Sequence, residues 1–179
     1  MNKSFFRFLQ SWWVLFVFLL SSCTEELDLE QSSFIRIYDA ADGDISYDPI
    51  DVEATQDGYL VLAGTRLNNT DFQGIQLITL TETGDFQGQF TLNEDVVVPT
   101  GQLMNINERF YFFGMNRTTL RVIMISVNSD LSDIQTTILG SLAYPLSATQ
   151  VSNGNMLVQS YDPEDGLTVL SEVQIDGSV

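Results

Sequence analysis

Beyond residue 32 the chain is a series of short apolar stretches with a period of two, separated by turns of Gly, Asn and Asp. No window fits the 3.6-residue stripe of an amphipathic helix. Phe86-Gln87-Gly88-Gln89-Phe90-Thr91-Leu92 alternates cleanly, and Leu167 to Ile175 does so apart from Leu170. Leu60 to Ala63 and Phe110 to Phe113 are apolar at consecutive positions, the pattern of strands covered on both faces. The expectation is an all-β chain, and a self-comparison organises it. Thr55-Gln56-Asp57-Gly58-Tyr59-Leu60-Val61-Leu62-Ala63-Gly64 is echoed by Asn105 to Gly114 and again by Val151 to Ser160, at offsets of 50 and 46. Each copy is a polar turn leading into an apolar strand. A second strand follows in each, at Ile75 to Leu80, Arg121 to Val127 and Val169 to Ile175. Each of these runs into a further turn, Thr83-Gly84-Asp85, Asn128-Ser129-Asp130 and Asp176-Gly177-Ser178.

A repeat of this length holding four short strands has the size of a β-propeller blade. The first copy resembles the Asp-Gly-Gly-Tyr blade repeats of bacterial lipoproteins and secreted propellers, through Thr55, Asp57, Gly58, Tyr59 and Gly64, with Leu80 to Gly84 matching the later strand and turn. It departs from that pattern in having one glycine after Asp57, and copies two and three lose the Tyr. Gly64 and Gly114 read as strand-end bends that need no side chain. The expected domain is therefore a propeller-like repeat over residues 33–179, of about three four-stranded blades. Phe34 to Tyr38 reads as an outer strand. Complete sets follow at Ile50 to Leu92 and Val97 to Leu139, and Leu146 to Ile175 supplies three strands. Closed propellers take four to eight blades. The leading expectation from this count is that Val179 interrupts a longer propeller. A self-associating half-propeller comes second, an open three-sheet solid third, and a β-sandwich is the alternative architecture.

The N-terminus is of a different kind. Lys3 and Arg7 precede an unbroken apolar run of nine residues from Trp12 to Leu20, and small Ser21 and Ser22 lead into Cys23, the only cysteine. This is the layout of a secretory signal, expected over residues 1–22, and nine residues fall well short of the ~20 a spanning helix needs. Leu20-Ser21-Ser22-Cys23 resembles the lipobox of bacterial lipoproteins. That resemblance implies cleavage after Ser22 and a diacylglycerol and acyl group on Cys23, with two or three chains anchoring stably where one alone would not. An uncleaved signal anchor, or an ordinary signal peptide with a chance cysteine, are the alternatives. Residues 23–32 form an acidic tether, and Glu25 and Glu26 resemble the surface-export signal that some Gram-negative groups place behind the lipidated cysteine. The expected location is the outer membrane, lipid-anchored, with exposure at the cell surface resting on those two acids.

Past residue 22 five arginines and no lysine face all 24 acidic residues, a formal charge of −19. Nucleic acid, which needs clustered cations, is a poor partner for such a chain. With no histidine and one cysteine, no intrachain disulfide, imidazole or thiolate metal site, or Ser-His-Asp arrangement can be drawn. Gly-rich phosphate loops are absent from the sequence as well. No catalytic residue, metal ligand or cofactor is assigned. Two acidic clusters remain, Asp39, Asp42, Asp44 and Asp48, and Asp162, Glu164 and Asp165 with Gly166. Both read as tight-turn chemistry before Ca²⁺ chemistry, and neither follows EF-hand spacing. Asn68-Asn69-Thr70 and Asn116-Arg117-Thr118 also read as turns, and Tyr111, Phe112 and Phe113 as core. Three functions follow: a binding or scaffolding module for a protein or glycan partner, a carboxylate-dependent glycan-processing enzyme, and a structural subunit assembling through blade edges.

Overall fold

The computed structural model describes residues 45–67, 71–92 and 95–179. The signal segment, the tether, the strand expected at Phe34 to Tyr38, and Asp39, Asp42 and Asp44 lie outside the described residues. Within them all regular structure is β. The first sheet is built from β1 (Ile45–Ala54), β2 (Gly58–Leu67), β3 (Asp71–Thr81) and β4 (Phe86–Thr91), hydrogen-bonded in chain order. The second holds β5 (Val96–Val97), β6 (Met104–Ile106), β7 (Arg109–Asn116), β8 (Arg121–Asn128) and β9 (Gln135–Ala143); the third holds β10 (Pro145–Gln150), β11 (Met156–Asp162) and β12 (Leu167–Val173). All pairings are antiparallel, so each repeat forms its own meander, and no sheet closes on itself.

The second sheet counts five strands but only four positions. Its first strand is split: β5 pairs the end of β7 (Val97 with Met115) and β6 pairs its start (Ile106 with Arg109). The chain between them leaves the edge and is fastened twice. Thr100 N donates to the Phe113 carbonyl at 2.9 Å. Leu103 N donates to Asp51 Oδ2 on β1 at 2.7 Å, which ties the second sheet to the first.

Apolar cores join the sheets face to face. Leu60, Leu62, Ile75 and Leu77 of the first sheet meet Phe110, Phe112, Ile123 and Ile125 of the second. Tyr111, Phe113, Val122 and Met124 point the other way and meet Ala148, Met156, Val158 and Val173 of the third. Side chains alternate across a strand, so β7 and β8 supply both cores, which explains their unbroken apolar runs. The copies are not in phase, however. Phe110 and Met156 both face back toward the preceding sheet, whereas Leu60 faces forward, so the 50-residue offset pairs positions on opposite faces. The hairpins also differ in length, with Ala54 paired to Tyr59 but Ile106 to Arg109.

Glycines mark the close approaches. Gly58 has φ +149, and a Cβ there would lie 1.9 Å from the Leu80 carbonyl oxygen, which gives the first-copy glycine a purely steric reason. Gly64 and Gly114 are interior to β2 and β7 rather than strand-end bends. A Cβ at Gly114 would meet Val96 at 2.9 Å, and one at Gly64 the Phe72 ring at 3.3 Å.

One turn recurs at the end of every third strand. Thr81 N donates to Asp85 O and Gly84 N to Thr81 O; Asn128 N to Ser132 O and Leu131 N to Asn128 O; Gln174 N to Ser178 O and Gly177 N to Gln174 O. The left-handed position is held by Gly84 (φ 78), Leu131 (φ 62) and Gly177 (φ 84). Asp130 and Asp176 fasten the last two turns alike, each accepting from the backbone N and Oγ of the serine two residues on. These bonds hold both carboxyls below their usual range, the serine hydroxyl leading at Asp130 and the serine amide at Asp176.

Candidate functional site

Antiparallel meanders place their turns at two ends, and each end carries a cleft between neighbouring sheets. The cleft between the first and second sheets, about 850 Å³, is walled by the β1–β2 loop (Thr55, Gln56, Asp57), the β6–β7 turn (Asn107, Glu108) and the start of the β8–β9 loop. Asn107 (φ 54) and Glu108 (φ 65) both adopt left-handed geometry, as a two-residue hairpin turn demands. Gln56 Nε2 donates to Glu108 Oε1 at 2.9 Å and bridges the two walls. Arg109 sits at the base with its side chain 19% exposed and every nitrogen engaged. Nε donates to Ser126 Oγ, Nη1 to Asn128 Oδ1 and Asp133 Oδ2, and Nη2 to the Asp133 carbonyl. Asp133 is held below the usual carboxylate range first by the Gln135 amide and then by Arg109. This cation is committed to bracing the β8–β9 loop, which leaves a polar, self-satisfied groove.

The cleft between the second and third sheets, about 390 Å³, lies at the opposite end. The β7–β8 loop (Thr119, Leu120, Arg121), the crossing from β9 to β10 (Ser141 to Tyr144) and the β11–β12 loop (Asp162 to Glu164) surround it, with Ser160 and Val169 beneath. Tyr144 and Tyr161 meet edge to face, with ring centroids 6.3 Å apart and planes at 68°. The backbone locks this pair: Tyr144 N donates to Leu120 O, and Tyr161 N to Tyr144 O. Leu120 (φ 59) and Tyr144 (φ 48) are both left-handed, a conformation that costs a bulky residue roughly 1–2 kcal/mol. Two such residues bonded to each other on one cleft wall are strain held by the surrounding sheets, of the kind that collects at ligand sites. The cleft is thus lined by two aromatic rings held by backbone bonds, by Arg121, by buried Ser160 and by Thr119, whose hydroxyl donates to Asn116 Oδ1.

Cys23, Leu20, Ser21, Ser22, Glu25 and Glu26 lie outside the described residues. Asp48 pairs with Arg66 on β2. Asp162 Oδ1 accepts from Glu164 N at 2.9 Å and Asp165 N at 3.4 Å, the turn reading of that cluster. Asn116 Oδ1 likewise accepts from Thr118 N and Thr119 N. Tyr111, Phe112 and Phe113 are core. Among the described residues no group of three or more acidic or cysteine side chains is placed to hold a metal ion. One carboxylate pair went unread in the sequence: Asp51 and Glu53, two apart on β1 and so on one face. Burial raises the Glu53 carboxyl, with Asp51 adding to it. Both Asp51 oxygens accept backbone amides, from Val52 and Leu103, and the second of these bonds joins the first two sheets. The tyrosines were missed too, because only the turn that brings positions 144 and 161 together makes them a pair. Comparison with known proteins returns no match: no family model fits the chain, and no curated protein or solved structure is similar to it.

Proposed function

We propose that this chain is a lipid-anchored protein of the bacterial outer membrane whose β-propeller-like domain is a glycan-binding module, with the cleft between the second and third sheets as its site. The observation that carries the binding assignment is the locked Tyr144–Tyr161 pair beside hydroxyls and Arg121. Sugar rings present apolar faces and polar rims, so ligand sites for them combine aromatic stacking surface with a few fixed polar groups. Three successive meanders, two of four positions and one of three strands, stacked through apolar faces, support the blade reading over a two-sheet sandwich. The Leu20-Ser21-Ser22-Cys23 pattern supports the anchor, with Glu25 and Glu26 as the reason to look for the protein on the outer face. The fold alone does not choose a function.

Binding is tested with detergent-extracted protein against an array of envelope polysaccharides. Saturable binding that falls about tenfold or more in Tyr161→Ala, with the circular dichroism spectrum unchanged, is the expected result. Loss of that order corresponds to about 1.4 kcal/mol, within reach of one stacked ring. Equal affinity in wild type and Tyr161→Ala removes this cleft as the site. Intact mass of the same preparation reads the anchor, as a chain beginning at Cys23 with added diacylglycerol and acyl mass.

A further inference from the structure

We propose that the glycan taken by the cleft between the second and third sheets carries a protonated amine, as an amino sugar without its acetyl group does. The inference rests on the glycan reading above and adds the charge of the ligand to it. Its first support is a buried hydroxyl with no partner. Ser160 is 2% exposed and lines the cleft, and among the described residues its side chain makes no hydrogen bond. Thr65, Thr79 and Ser126, the other buried hydroxyl residues among those described, all have partners: Thr65 donates to the Gly74 carbonyl, Thr79 to the Gly88 carbonyl, and Ser126 accepts from Arg109. The side-chain atom that is both sealed and unpaired among the described residues is Ser46 Oγ, so Ser160 Oγ is reached from the cleft. Buried polar groups are normally satisfied within the fold. A hydroxyl left open on a cleft wall is one of the few polar groups by which such a site orients its ligand.

The groups around that hydroxyl set the charge of what enters. Tyr144 and Tyr161 stand edge to face, and the face of each ring carries the negative side of its quadrupole, which attracts a cation. Asp162 and Glu164 line the same cleft on either side of Pro163. Asp162 commits Oδ1 to the amides of its own turn, whereas the exposed Glu164 carboxylate has no partner among the described residues. Arg121 is the one cation of the lining, against two carboxylates. Past residue 22 the whole chain sets five arginines against 24 acidic residues, a field that repels an acidic polysaccharide and draws in a cationic one. A neutral acetamido sugar stacks on the same rings but gains nothing from the carboxylates or from the field. An ammonium group uses all three: the ring faces, the Glu164 carboxylate, and the Ser160 oxygen as acceptor.

Calorimetric titration of the full detergent-extracted chain tests the amine with tetramers of glucosamine, N-acetylglucosamine and galacturonic acid, at about pH 6, below the pKa of such an amine. Wild type is compared with Tyr161→Ala, Ser160→Ala and Glu164→Gln. The expected result is binding of the glucosamine tetramer at least about tenfold tighter than its acetylated counterpart, with no binding of the uronate. That advantage should shrink at least about threefold in Glu164→Gln and in Ser160→Ala, with circular dichroism unchanged, and should shrink again as salt is raised. Equal affinity for the first two tetramers, or tighter binding of the uronate, overturns the amine and leaves the glycan reading intact where Tyr161→Ala still abolishes binding. Failure of all three tetramers to bind overturns the amine and leaves the glycan reading to the polysaccharide array. A preference for the amine that is unchanged in Glu164→Gln, in Ser160→Ala and at high salt overturns the roles given to these groups. Binding that Tyr161→Ala leaves untouched overturns both readings, because the ligand then sits elsewhere.

Discussion

β8 and β12 occupy the same position in successive meanders and have opposite fates. Val122 to Val127 of β8 are buried without interruption, whereas β12 exposes Leu167, Val169 and Leu170 although its own composition is just as apolar. The difference lies in what surrounds each strand. Among the described residues, β8 has a neighbour on either side, β7 and β9, and a sheet packed on each face; β12 has β11 on one side and a sheet behind one face only. Strand apolarity thus records the environment a strand is built for.

Truncating the second sheet's core should separate the two regions most sharply. Phe112→Ala and Phe113→Ala each open a cavity at a fully buried ring and should cost about 3–5 kcal/mol, while Leu170→Ala at its exposed position should stay within about 0.5 kcal/mol in dilute monomer. Urea unfolding of the three variants checks this, and equal losses would break the comparison. Gly58→Ala should rival the ring truncations, since the added methyl meets a backbone carbonyl that cannot swing aside. Arg109→Ala, which strips the β8–β9 loop of its brace, should cost less, about 1–3 kcal/mol.

The smallest effect expected is a dependence on pH. Asp130, Asp133, Glu172 and Asp176 titrate below their ordinary values, so the stability they contribute is present above the unfolded carboxylate pKa and fades as pH falls through their depressed folded values. Glu53 works the other way. Its folded pKa lies above 4.5, so its ionisation costs stability as pH rises through that window, and Glu53→Gln should raise the melting temperature slightly at pH 7 and leave it unchanged near pH 3. A Glu53→Gln protein less stable than wild type at pH 7 would contradict the burial ascribed to that carboxyl.

Much of this architecture was legible in the sequence. The unbroken apolar runs Leu60 to Ala63 and Phe110 to Phe113 announced strands covered on both faces, and the 46-residue spacing marked the third meander. The phase between copies was not legible, because Leu60 to Ala63 and Phe110 to Phe113 are apolar at every position and leave no alternation to show which residue takes which face. Nor was the split of the second sheet's first strand, since Val96 and Met104 share one edge only through the detour fastened by Thr100 and Leu103. The recurrent turn was legible in part: Asp130-Leu131-Ser132 and Asp176-Gly177-Ser178 share their capping residues, but Leu131 stands where a glycine is expected, its side chain packed on the first core. The tyrosine cleft depends on two left-handed residues that no periodicity reveals.

Amide hydrogen exchange across β8 and β12 tests the central claim most directly, because successive amides of an antiparallel strand point to alternate neighbours. The account predicts protection at every interior β8 amide, since β7 and β9 flank it. In β12 it predicts protection only at the alternate amides that face β11. Alternate protection along β8, or the same unbroken protection along both strands, would contradict it.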